Sequence, residues 1–153
     1  MLLLSKLQRL AKLSVRDWVI VLQLVVSAAL CDMLLWFLPL SRLVHALSWG
    51  SRTRLGALLP LCHRRVDHSH LSALAALAAR IVRGPDCCLP RALLQFWLCG
   101  IRREPVTLLI GVRKEAGTLC SHAWVETPDG HVINGDPGAA TFQPLLRFSG
   151  AGI

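Results

Sequence analysis

The chain has 153 residues, which is enough for one domain with a substantial core and too few for two large ones. It is 54% hydrophobic with a mean hydropathy of +0.51, which disfavours disorder and brings a membrane or partner surface into consideration. The 17 Lys and Arg against 9 Asp and Glu give a net charge of +8, which suits an acidic peptide or an anionic lipid; because no basic stretch is interleaved with stacking aromatics, we expect no nucleic-acid partner.

The start of the chain predicts no secretory signal. Residues 1–6 lack a basic segment of the kind that opens such signals, and the apolar run that follows has no small-residue cleavage site. The six cysteines are scattered, at positions 31, 62, 87, 88, 99 and 120. This distribution favours free thiols over a disulfide framework, so we expect a cytoplasmic protein, in solution or associated with the inner face of the membrane.

The N-terminal part predicts helices. Leucines and basic residues recur at helical spacing over residues 6–13, and Ser14 with Asp17 resembles a capping box that opens a second helix, from about Val15 to Leu38. As a membrane span this second helix would have to bury Asp32, at a cost of ~2.5–3.5 kcal/mol. We therefore favour a core helix, or a helix that lies on a partner or on the membrane surface.

Residues 49–70 predict a linker, because Gly, Pro and polar residues interrupt the apolar pattern there. It divides the chain into an N-terminal helical region, 1–60, and a second part, 61–153, that carries the candidate site. Four residues in it could ligate a metal: Cys62, His63, His68 and His70. Their spacing matches no standard zinc pattern, so we expect no metal and interpret them as part of a solvated loop.

Two further helices follow. One is predicted over Leu71–Val82, where Leu and Ala recur and Gly84 supplies a stop. The next is predicted over Leu89–Cys99, with Pro90 in its first turn, where a missing N–H costs nothing, and Gly100 as its C-terminal stop.

After this helix the hydrophobic period changes to that of strands. Residues 106–112 and 119–127 predict two strands joined by a turn at 114–117, and a second turn at 128–130 leads into a short strand at 131–135. Helices followed by an antiparallel meander predict an α+β fold.

Cys88 lies at the N-terminal end of the predicted helix, where unpaired N–H groups and the helix dipole favour a thiolate. Cys87 meets the same condition and stays an alternative nucleophile. The commonest role of a single cysteine is an inert, buried one, and we interpret the other four cysteines as packing residues.

A histidine of the second strand is the candidate base. Because side chains alternate along a strand, His122, Trp124 and Glu126 share one face. Taken alone, His122 would more often be a hydrogen-bonded sheet residue than a catalytic one. Trp124 is more often a core residue, although its indole N–H could bind an oxyanion or a substrate carbonyl, and Glu126 fits a structural role or a substrate contact.

The hairpin after this strand predicts the third member of the site. If a three-residue loop closes it, Thr127 pairs with His131, and the same register puts Asp136 directly across from His122. Asn134 is the alternative on the same face. The chain order Cys, His, Asp is that of a papain- or transglutaminase-like nucleophilic site.

Four motifs together resemble the leader peptidase of lasso peptide biosynthesis, a bacterial cysteine protease with a transglutaminase-like core. These motifs are residues 88–93 (CLPRAL), 110–114 (IGVRK), 122–126 (HAWVE) and 134–136 (NGD). The resemblance implies that a nucleophile helix packs on an antiparallel sheet after an N-terminal helical part. It assigns the nucleophile to Cys88, which directly precedes Leu-Pro-Arg, and the base to His122. Family members often carry Asn-Asp adjacent, whereas a glycine separates the two here, so Asp136 and Asn134 both stay candidates for the third residue.

The resemblance also implies a function and its partners. The protein would cut a ribosomally made precursor at the leader–core junction, without a cofactor, and free the amine that an ATP-dependent cyclase uses for macrolactam formation. A separate leader-binding protein would deliver the precursor, and the apolar surface of Val15–Leu40 would suit docking to such partners. The alternatives are an acyl transferase or transglutaminase that uses the same site, and a non-catalytic scaffold that binds the precursor.

Overall fold

The computed structural model describes residues 14–53, 67–84, 88–133 and 138–150. In these residues four helices precede a three-stranded antiparallel sheet, so the α+β prediction is confirmed. The elements are α1 (Val15–Leu34), α2 (Leu40–Arg52), α3 (His68–Arg83), α4 (Cys88–Arg102), β1 (Thr107–Glu115), β2 (Thr118–Glu126), a 3-10 turn (Ala139–Thr141) and β3 (Gln143–Ser149). The helix predicted over residues 6–13 and the predicted division at 60/61 lie outside the described residues.

α1 begins as predicted and ends earlier than predicted. The Ser14 N–H donates to Asp17 Oδ2 over 3.0 Å and the Ser14 hydroxyl accepts from the Asp17 N–H over 3.4 Å, which confirms the capping box. The expected helix up to Leu38 is wrong, since α1 ends at Leu34 and a turn leads to Pro39, the N-cap of α2. A proline disfavours helical backbone in the residue before it, which explains the break.

The ends of α3 and α4 show one correct prediction and one wrong one. The Asp67 side chain accepts from the first turn of α3, and Gly84, with φ of 76°, ends that helix as predicted. Gly100, expected to end α4, lies inside it instead. A Cβ at Gly100 would lie 2.7 Å from Ser51 Oγ, so this glycine lets α2 approach α4 closely, and the chain leaves the helix at Arg103, with φ of 60°.

α4 is the centre of the fold. Its Leu94 and Leu98 join one apolar core formed with α1 and α3, and its Leu93 and Phe96 join a second core formed with α2 and the sheet. A helix that is apolar on every side is stable only when it is buried on every side. The predicted packing of this helix on an antiparallel sheet is therefore confirmed for the described residues.

The sheet has the strand order β2-β1-β3. A two-residue turn with positive φ at Ala116 (46°) and Gly117 (86°) joins β1 to β2, the geometry of a tight hairpin. The predicted meander is wrong in one respect, because the third strand is β3, which pairs with β1 and was not predicted. The strand expected at 131–135 is, in its described part, a single bridge between Glu126 and Val132.

α1 is the one helix of the described ranges that is long and apolar enough to cross a bilayer. One of its sides is nevertheless packed into the domain, where Ile20, Leu24 and Ala28 are fully buried. Asp32 on α1 accepts from Arg83 Nε of α3 over 2.7 Å. The predicted linker at 49–70 is correspondingly shorter, since α2 extends to residue 52 and α3 begins at residue 68.

We predict that Gly111→Ala destabilises the fold. Gly111 lies in β1, and a Cβ there would come within 2.8 Å of both the Gln143 carbonyl oxygen and the Trp124 ring. Because backbone and a buried indole cannot both yield, we expect a loss of ~1–3 kcal/mol in the free energy of unfolding, measured by chemical denaturation.

The matched control is Gly50→Ala. Gly50 is helical, and a Cβ there would meet nothing within 4 Å, so the same change should leave stability unchanged or raise it by up to ~1 kcal/mol. Equal effects of the two substitutions would show that Gly111 makes no close contact.

Candidate active site

Cys88 is the first residue of α4. Its thiol is free and half-buried, and it packs against the core that contains Ala123 and Val125 of β2. Pro90 follows in the first turn of the helix and is buried, as its position in the sequence predicts. The burial of α4 on both sides therefore fixes the place of the Cys88 thiol. Cys87 lies outside the described residues.

His122 projects from the other face of β2. Its main-chain partner on β1 is Gly111, and its imidazole stacks with the rings of Trp124 and Phe142. The centroid of the His122 ring is 5.9 Å from that of Trp124 and 5.0 Å from that of Phe142, with interplanar angles of 18° and 29°. We call this arrangement the ring stack. It restricts rotation of the imidazole by contact with two aromatic rings.

Arg113 lies over Phe142 of the ring stack. Its guanidinium carbon lies 4.8 Å from the centroid of Phe142, a cation–π contact. One guanidinium nitrogen donates to Thr141 Oγ1 and another to Glu115 Oε2, each over 2.7 Å. Because two acceptors orient the guanidinium, Arg113 in turn holds Phe142 over His122. Arg113 belongs to the IGVRK motif singled out in the sequence, whereas Phe142 was missed, since it lies 20 positions beyond the histidine and outside any predicted element.

Trp124 is the buried aromatic residue of the ring stack. It is 3% exposed, and its indole N–H donates to Glu126 Oε1 over 2.8 Å. This bond confirms that His122, Trp124 and Glu126 share a face. It also gives the indole N–H an acceptor within the protein, in place of the oxyanion or substrate carbonyl considered from the sequence, and it gives Glu126 a structural role.

The hairpin after β2 has the register that the sequence predicts. The Thr127 N–H donates to the His131 carbonyl over 3.0 Å, and the Ile133 N–H donates to the Val125 carbonyl over 2.9 Å. Gly130, with φ of 81°, closes the three-residue loop. The two candidates for the third catalytic residue, Asn134 and Asp136, lie outside the described residues.

The structure thus brings some of the predicted residues together and leaves others apart. His122, Trp124 and Glu126 form one contiguous group on the outer face of β2. Cys88 belongs to the core on the helix side of the same strand. The pairing of the Cys88 thiol with the His122 imidazole is therefore a proposal.

Two other cysteines, Cys31 and Cys99, are buried. Cys31 is 8% exposed, and burial, reinforced by the negative charge of Asp32, raises its pKa to about 11. Cys99 is 1% exposed, and burial, reinforced by Glu104, raises its pKa to about 12. Both thiols are therefore protonated at neutral pH, which supports their interpretation as packing residues.

The residues considered as metal ligands from the sequence do not form one group among those the structure describes. His70 Nε2 lies 3.0 Å from Asp17 Oδ1, and the hydrogen bond with His70 lowers the pKa of Asp17. His68 belongs to a different contact, with Glu104. Cys62 and His63 lie outside the described residues.

A different set of potential ligands lies near the C-terminal end of α4. The ligand atoms of His68, Cys99 and Glu104 are within 4.8 Å of one another. Glu104 shares its two oxygens, since Arg102 Nε donates to Oε1 over 2.9 Å and His68 Nδ1 lies 3.3 Å from Oε2. The same carboxylate contributes to the raised pKa of the Cys99 thiol, so the three side chains already interact with one another.

The comparisons with known proteins agree with this architecture. The family model described as the Transglutaminase-like superfamily matches residues 34–147, a span that runs from the end of α1 almost to the end of β3 and includes Cys88 and His122. No curated protein matches the chain, and no solved structure does. The family indicates activity of the cysteine protease or acyl transferase type. Since the match covers most of the chain, the protein belongs to the transglutaminase-like superfamily.

Proposed function

We propose that this protein is a cysteine peptidase that removes the leader from a ribosomally synthesised lasso precursor peptide at the leader–core junction. The observation that carries the proposal is the family match, whose span includes both the helix-start thiol Cys88 and the stacked imidazole of His122. The four sequence motifs that resemble the lasso leader peptidase supply the substrate class. Cleavage would free the core amine for macrolactam formation.

In the proposed mechanism His122 takes the proton from Cys88, and the thiolate attacks the carbonyl carbon at the junction. The backbone N–H of Cys88 helps to hold the resulting oxyanion. His122 then gives its proton to the leaving amine of the core as the peptide bond breaks. Water hydrolyses the thioester that remains on the leader and restores the thiol. Asp136 is proposed to orient His122, with Asn134 as the alternative.

The ring stack supports a role for His122 as the base. Trp124 and Phe142 both stack with the imidazole, so its ring orientation is restricted, as the role of a base requires. The register observed at Thr127 and His131 is the one that puts position 136 across from His122 in the sequence-based argument.

The proposed partners follow from the same resemblance. They are the precursor peptide, a separate leader-binding protein and the ATP-dependent cyclase, with the protein located in the cytoplasm. The net charge of +8 favours an acidic peptide or protein surface among them.

An acyl transferase is the second candidate, because the superfamily indicates that type of activity as well. The first half of the reaction would be the same, up to the thioester on Cys88. An amine would then take the place of water and form an amide with the acyl group. A cross-linked or amine-adducted product would identify this reaction.

We predict that Cys88→Ala abolishes cleavage of the precursor, whereas Cys87→Ala retains it. The precursor would be incubated with the protein and the leader-binding partner, and the products measured by mass spectrometry. A single cut at the leader–core junction is expected for the wild type. Activity of Cys88→Ala together with inactivity of Cys87→Ala would reverse the assignment of the nucleophile, and an inactive wild type with a competent partner would contradict the peptidase function.

We predict that Phe142→Leu lowers kcat/KM by about 2- to 10-fold, since an aromatic contact is worth ~0.5–1.5 kcal/mol. Leucine keeps the site apolar but removes one of the two aromatic rings that stack with His122. The matched control is Phe148→Leu, the same change in β3 at a residue that packs on the helix side of the sheet. Phe142→Tyr should restore the rate. Equal losses in the Phe142→Leu and Phe148→Leu variants would show that Phe142 acts only through stability.

We predict that iodoacetamide modifies Cys88 faster than Cys31, Cys99 and Cys120 at neutral pH. Cys31 and Cys99 are buried and protonated, since their pKa values are raised to about 11 and about 12. Cys120 is half-buried like Cys88 and serves as the control for simple access. Peptide mapping by mass spectrometry gives the individual rates. If Cys120 reacted as fast as Cys88, the thiol would not be activated and the scaffold alternative would gain support.

A further inference from the structure

α1 presents a second apolar side, directed away from the domain. Six large side chains recur along it every three or four residues, so they lie in one straight row on the helix. They are Val15, Trp18, Leu22, Val26, Leu30 and Met33, with exposed fractions between 48% and 82%. We call this row the outer face of α1. Contiguous apolar surface of this kind marks an interaction site rather than ordinary solvent-exposed surface.

The apolar surface continues beyond the helix. Trp36 and Phe37, in the turn after α1, are 82% and 79% exposed, and Trp49 on α2 is 70% exposed. Between α1 and α2 lies an apolar groove of about 250 Å³, with Leu30 and Ala46 on its two sides. Exposed Trp and Phe beside aliphatic residues are the side chains that lie at the level of the lipid headgroups in interfacial proteins.

The composition of this part of the chain suits an anionic partner. Asp17 and Asp32 are the two acidic residues of residues 1–53, and each bonds to a side chain on α3, His70 and Arg83 respectively. The same stretch contains six Lys or Arg, so six positive charges against two negative ones leave it at +4. The outer face therefore contributes no carboxylate that would repel an anionic surface.

We propose that the outer face of α1 binds the surface of an anionic lipid bilayer, with α1 lying in the plane of the interface. A spanning arrangement is inconsistent with the structure, since the opposite side of α1 is buried against α3 and α4. The outer face, from Val15 to Met33, precedes the span that matches the family, 34–147. This inference goes beyond the proposed function and does not depend on it.

The test is binding of the full chain to vesicles. Vesicles of mixed phosphatidylglycerol and phosphatidylcholine should bind at least about tenfold more protein in sedimentation than vesicles of phosphatidylcholine alone, since anionic lipid adds attraction to the basic residues. Tryptophan emission should shift to the blue on binding, and added salt should weaken the binding by screening. The double variant Leu22→Glu, Val26→Glu should lower binding about tenfold or more, because it introduces two carboxylates into the middle of the outer face.

The matched control is the double variant Leu145→Glu, Leu146→Glu. These residues of β3 are 62% and 47% exposed, close to the 65% and 52% of Leu22 and Val26, and should leave binding unchanged. Circular dichroism verifies that both variants fold. Absence of vesicle binding by the wild type, or equal binding by the two variants, would overturn the proposal. A dimer in light scattering that the α1 variant dissociates, without vesicle binding, would assign the outer face to a second copy of the chain instead.

Discussion

The burial of α4 on both sides is the constraint on which the rest of the structure depends. Leu94 and Leu98 face the core shared with α1 and α3, while Leu93 and Phe96 face the core shared with α2 and the sheet. A shift of the helix in either direction would open a cavity in one core and overpack the other. The first residue of this helix is Cys88, so the packing of two cores determines where the candidate nucleophile lies.

The alternation of side chains along its strands gives the sheet a helix-facing side and an opposite side that carries His122. On β2, Ala123 and Val125 face the helices, while His122 and Trp124 face the other way. The same alternation on β1 sets Gly111 opposite His122, and the absence of a side chain there provides the space that Trp124 occupies. Gly111 thus leaves room for the Trp124 ring, and that ring in turn stacks on the His122 imidazole and restricts its orientation.

The sequence predicts those parts of the structure that depend on local chemistry. The capping box at Ser14, the place of Pro90 and the register at Thr127 all follow from short-range rules, and the structure confirms them. The prediction fails where a contact between residues far apart in the sequence determines the local structure. Gly100 has the residue type of a helix stop, yet its contact with Ser51 on α2 places it inside the helix. No local pattern reports such a contact.

β3 and the ring stack show the same limit for the sheet. Pro144 breaks the strand pattern, since proline cannot donate to a ladder, and five consecutive exposed residues give no alternation to detect. Only the pairing with β1 makes this segment a strand. Phe142 is placed by the 3-10 turn that precedes β3, so its contact with His122 could not be predicted before the strand was known.

α1 connects the proposed membrane surface to the candidate site through rigid packing. Its buried side shares one core with Leu94 and Leu98 of α4, and Cys88 begins that same helix. Hydropathy alone could not separate a spanning helix from a core or surface helix, because both sides of α1 are apolar. The bonds of Asp17 and Asp32 to α3 resolve this, since they show which side faces the protein. A bilayer bound to the outer face would therefore hold α4 and its thiol at a fixed orientation to the lipid surface, so a peptide delivered along that surface would meet the site in one orientation.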